Sequence, residues 1–103
     1  MTKSELQALL NRINSITSAN SESLTEYLSI IKLCVEKLQN LQQEDKSPIL
    51  DAWLSMGINE LRKELHERFS EGFKNLSDER QKAELLYSRS IVSMSLTNIL
   101  MHL

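Results

Sequence analysis

Asn14-Ser15-Ile16-Thr17-Ser18-Ala19-Asn20-Ser21-Glu22-Ser23 is the stretch on which the fold turns. Apolar residues flank it at helical spacing. Leu6, Leu9, Leu10, Ile13 and Ile16 precede it. Leu24, Tyr27, Leu28, Ile31, Cys34, Val35, Leu38 and Leu41 follow it, with Ile30 and Leu33 widening the second stripe. The stretch itself is short and polar, and such side chains compete with the helix for backbone hydrogen bonds. Ser23 and Glu26 also stand at capping-box spacing, as Thr2 and Glu5 do at the start of the chain. The polar run and the second box coincide, so the sequence predicts a break near Asn20 between one helix over 3–19 and another over 23–44.

The other reading of the same residues is a single helix. Leu6, Ile13, Asn20, Tyr27, Cys34 and Leu41 are each seven apart, and Leu10, Leu24, Ile31 and Leu38 share a second register. A helix bridging 3–44 would be roughly 60 Å long. It would form a coiled-coil arm, with Asn20 as a polar register position, followed by two further helices.

Beyond residue 44, Ser47-Pro48 reads as a helix start, because Pro in the first turn forfeits no hydrogen bond. Leu50, Leu54, Ile58, Leu61, Leu65 and Phe69 draw a third stripe over 48–70, with Ile49, Trp53 and Met56 broadening its beginning. Gly57 lies inside this helix and suggests a close crossing with a neighbour. Gly72 is expected to close the helix as a left-handed cap. Ser77 caps a fourth helix over 78–102, with Asp78 and Glu79 in its first turn. With 18 Leu, 2 Val, 2 Gly and 1 Pro in 103 residues, the composition favours helices and few turns. The fold class is all-α: a single helical domain over residues 1–103, a four-helix antiparallel bundle or paired helical hairpins.

Several function classes are disfavoured. The formal net charge of −2 gives no general attraction to phosphate or anionic lipid. No run of 18 apolar residues suggests a membrane span. Met1-Thr2-Lys3-Ser4-Glu5 reads as a natural start and not as a signal peptide, so a cytoplasmic location is expected. Cys34 is the only cysteine; its place on an apolar stripe suggests a buried, inert thiol. His66-Glu67 opens like a zinc-protease motif, but position 70 is Ser70. Neither a zinc-spaced cluster nor a phosphate loop can be assembled from these residues. We therefore expect no enzyme, no cofactor, no metal and no small-molecule substrate.

Charge is unevenly distributed. Thirteen of the 26 charged residues lie between Glu60 and Glu84, six basic and seven acidic. Pairs such as Lys63–Glu67 and Glu64–Arg68 suggest a solvent face supported by i,i+4 contacts. Ser90 to Leu103, in contrast, holds no charged residue except His102 when its ring is protonated. A helix weakly polar on all sides is normally covered on all sides. It can be the centre of an uneven bundle, a dimer interface or a docking face, and Ser88, Ser90, Ser93 and Ser95 can also allow close helix approach. The candidate partner-binding residues are Ile91, Met94, Leu96, Ile99, Leu100 and Leu103. They suggest a small interaction protein (an adaptor, chaperone-like partner or complex subunit) with a protein partner or a second copy of itself. The alternative is a regulatory nucleic-acid binder with Arg80, Lys82 and Arg89 on a recognition helix, opposed by Asp78, Glu79 and Glu84 on the same helix.

Overall fold

The computed structural model describes residues 2–44 and 47–103; Met1, Asp45 and Lys46 lie outside the described residues. The second expected link, which includes Asp45 and Lys46, is thus only partly described. The described residues form four α-helices and no strand: α1 (Lys3–Asn14), α2 (Ser21–Glu44), α3 (Pro48–Lys63) and α4 (Asp78–Leu100).

Each helix starts where a side chain can cap it. The Thr2 hydroxyl accepts from the Glu5 N–H at 3.1 Å, and Ser77 accepts from the Arg80 N–H at 3.3 Å. Ser47 accepts from the Leu50 N–H at 3.4 Å, with Pro48 in the first turn. At α2 the capping residue differs from the expected Ser23. Asn20 Oδ1 accepts from the Ser23 N–H at 2.8 Å, and the Asn20 carbonyl accepts the first helical bond, from Leu24. Asn caps as well as Ser does, so the helix begins two residues earlier, at Ser21.

The break itself is present, and α1 is shorter than the expected 3–19. The Ser15 hydroxyl and N–H both turn back onto the Arg12 carbonyl, which stops the helix at Asn14. The following segment is held by α4. The Arg89 guanidinium donates to the Ile16 carbonyl at 2.7 Å, and the Ser93 hydroxyl donates to Asn14 Oδ1. Ile16, outside any helix, is buried in the core. A continuous coiled-coil arm is thereby excluded.

The end of the third helix also departs from the sequence reading. After Lys63 the chain widens into one π-helical turn, Glu64–Arg68, in which the Phe69 N–H donates to the Glu64 carbonyl at 3.3 Å. A 3₁₀ turn over Glu71–Asn75 follows. Among the described residues no glycine has positive φ, so Gly72 is not the expected left-handed cap. The π-helical turn occupies the Glu64 carbonyl instead, and the 3₁₀ turn closes on itself: Phe73 N–H bonds Ser70 O and Leu76 N–H bonds Phe73 O. The 3₁₀ turn also drives Phe73 into the core, edge-to-face against Phe69 at 5.0 Å.

The helices close a ring in which α1 and α3 each pack against both α2 and α4. Side-chain pairs fix their senses. Tyr27 meets Phe69 while Gln42 bonds Ser55, so α2 and α3 run antiparallel. Arg68 meets Glu84 while Trp53 stacks on His102, so α3 and α4 do too. Glu5–Lys37 and Arg12–Glu26 place α1 antiparallel to α2. Gly57 is buried at the α3–α4 crossing; a Cβ there would stand 2.7 Å from Ile99 Cδ1, the close approach the sequence suggests. In the core, Tyr27 is fully buried, and its hydroxyl shares a 2.7 Å hydrogen bond with the buried Ser88.

Candidate interaction face

α4 determines how the uncharged C-terminal stretch is used. Its inner side buries Leu85, Ser88, Val92, Leu96, Ile99 and Leu100 between α1 and α3. Three of the six candidate binding residues, Leu96, Ile99 and Leu100, are thus core residues of the chain's own bundle. Ile91 is half-buried at the edge, while Met94 and Leu103 are exposed. Much of the apolar character of α4 therefore comes from its place between two neighbours.

A second apolar line remains on the outer side. Tyr87, Met94 and Met101 are exposed by 60%, 66% and 74%. They are seven residues apart, almost two whole helical turns, so they lie in one row. Short hydroxyl side chains, Ser90 and Thr97, fill the positions between them. The sequence reading missed Tyr87 and Met101. Their heptad spacing was present, but inner and outer rows cannot be told apart in a helix with apolar residues on nearly every side.

The rim of α3 adjoins this row. Ile49 and Met56 are exposed and Trp53 is half-buried. Trp53 stacks on His102 with ring centroids 4.8 Å apart, and the His102 ring nitrogen Nδ1 lies 2.8 Å from the Asn98 carbonyl. A groove between the two helices, about 50 Å³, is lined by Trp53, Met56, Gly57 and Glu60 of α3 and by Ser95 and Asn98 of α4. Asp51 is the only charged residue between Pro48 and Asn59. The charges that α3 brings to this end of the α3–α4 face are therefore Asp51 and the groove-lining Glu60.

The opposite end is a charged cluster. Glu64, expected on a solvent face, is 4% exposed. Arg68 reaches it through Nε at 2.8 Å, bonds Glu84 through a second nitrogen, and lies 4.8 Å from the centroid of the Tyr87 ring. The π-helical turn carries both Glu64 and Arg68, and the cluster joins α3 to α4. Lys63 pairs with Glu60 at 3.9 Å.

The remaining candidates for chemistry are separate. Cys34 is fully buried; burial pushes its thiol up to about 12, against a smaller opposing influence of Arg12. His66 is exposed on the surface. No group of three His, Cys, Asp or Glu among the described residues is placed to hold a metal ion. Of the three basic residues considered for nucleic acid, Arg80 and Lys82 are exposed while Arg89 is engaged with the Asn14–Ile16 backbone. No helix among the described residues is long and apolar enough to cross a membrane. Compared with protein-family models, curated proteins and solved structures, the chain matches none of them.

Proposed function

We propose that this chain is a small non-enzymatic interaction module that binds a protein helix on the outer side of α4 and the adjoining rim of α3. The observation that supports this reading is the row Tyr87–Met94–Met101, more than half exposed on a helix that carries no charged residue from Ser90 onward. Exposed apolar residues are ordinary when scattered. Here they are aligned, and Ile49, Trp53 and Met56 extend them sideways. A heptad-spaced row suits an amphipathic partner helix, and full burial of one such side chain contributes about 1.5–3 kcal/mol. The methionines, unbranched and polarisable, adapt to a facing surface.

The test uses a double variant, Met94→Glu with Met101→Glu, whose fold is checked by circular dichroism. Wild-type and variant chains are each used to capture proteins from the native source, the untagged chain itself included. The expected result is a discrete set of proteins held by the wild type and lost by the variant. Capture of the same set by both would overturn the reading.

A further inference from the structure

The outer row of α4 is symmetric about its middle residue. Tyr87 and Met101 stand seven residues either side of Met94, and no charged side chain lies between Ser90 and Leu103. We propose that the occupant of this face is a second copy of the chain, its α4 antiparallel to the first, with a two-fold axis at Met94. This rests on the interaction-module reading above.

A self-complementary patch is what an isologous two-fold interface requires. The axis sets Met94 against Met94, and Tyr87 of each copy against Met101 of the other, a favourable thioether–aromatic contact. Ser90 falls level with Asn98 of the second copy, one residue from Thr97, and the short Ser90 and Thr97 side chains let the two backbones approach. Charge supports the same arrangement. Each chain carries −2, and its charged block gathers toward the Glu64–Arg68–Glu84 end. Antiparallel pairing places the two blocks at opposite ends and brings the uncharged parts together. Area sets the strength. Tyr87 to Met101 spans about 21 Å along the helix, and the bundle is 23 Å across its second dimension. Covering that face on both copies removes about 1,000 Å² in all, below the roughly 1,200–2,000 Å² of stable specific interfaces and in the range of transient ones. The dimer is therefore reversible and concentration-dependent.

Sedimentation over a concentration series provides the first measurement. The wild type is expected to pass from monomer to dimer, and Met94→Glu to weaken association at least tenfold. Position-specific cross-linking provides the second, using a short bis-maleimide; the buried Cys34 leaves the introduced thiols as the reactive ones. Met94→Cys should cross-link to itself. Tyr87→Cys and Met101→Cys should each fail alone and succeed when mixed. Self-linking of Tyr87→Cys and of Met101→Cys would overturn the antiparallel pairing, and a monomer at every concentration would overturn the second copy. A monomer whose doubly charged variant still loses captured proteins removes the second copy and leaves the interaction module standing. A monomer that captures the same proteins with and without the charges removes both.

Discussion

Cys34 and Tyr27 are fully buried on the same stripe of α2, and both resist ionisation for the same reason. Burial disfavours the thiolate and the phenolate, so both groups hold their protons longer in the folded chain than in the unfolded one. For Cys34 the value rises from 9.0 to about 12. Below pH 9 its contribution to stability is complete. As the pH climbs toward 12 the unfolded state alone releases the proton, and stability falls. Tyr27 adds a further loss above its ordinary value of 10. Urea midpoints measured from pH 8 to 11 should therefore decline, and Cys34→Ala should shallow the decline between 9 and 10, where Tyr27 contributes little. An unchanged slope in that window would contradict the burial argument. The apolar stripe made the burial of Cys34 legible in advance. The hydrogen bond between Tyr27 and Ser88, 61 residues apart, was not, since it depends on α2 and α4 facing inward at one level.

The start of α2 separates local signal from tertiary choice. Asn20 and Ser23 are both good capping residues, and only one can occupy the cap. Asn20→Ala should cost about 1 kcal/mol, whereas Ser23→Ala, now inside the first turn, should change stability by no more than a few tenths. Equal losses at the two positions, measured by denaturant unfolding, would contradict the assignment. The end of α1 was less legible. Ile16 continues the helical stripe, yet the helix stops at Asn14, where Ser15 turns back onto the Arg12 carbonyl and where Ser93 and Arg89 hold the Asn14 side-chain oxygen and the Ile16 carbonyl. Gly57 inside a helix signals a close approach on local grounds, but the residue that approaches, Ile99, is 42 positions away.

Across the whole molecule, α3 and α4 are joined by different means at their two ends. Near Trp53 and His102 the contact is aromatic stacking; near Arg68 it is an ion cluster with a nearly buried carboxylate at its centre. Removing the cation leaves the nearly buried Glu64 without its partner. Arg68→Met should cost about 3 kcal/mol, as breaking buried pairs does. Adding Glu64→Gln should restore part of that loss, because the uncompensated charge disappears. A loss under 1 kcal/mol, or a double variant no more stable than the single one, would show the cluster to be solvated. The sequence reading placed both pairing residues on a solvent face because i,i+4 spacing is the same for an exposed pair and a buried one.

Four helical stripes, three breaks and the cap residues Thr2, Ser47 and Ser77 follow from the sequence alone, because helical periodicity and capping are local chemistry. The uneven distribution of charge is also a property of the sequence. Tertiary structure decided which apolar residues of α4 remain outside. Leu96, Ile99 and Leu100 are buried between α1 and α3, while Tyr87, Met94 and Met101 face outward. The reason is geometric. A helix apolar on every side has no moment to orient it, so only its neighbours determine which row becomes core and which is left for a partner.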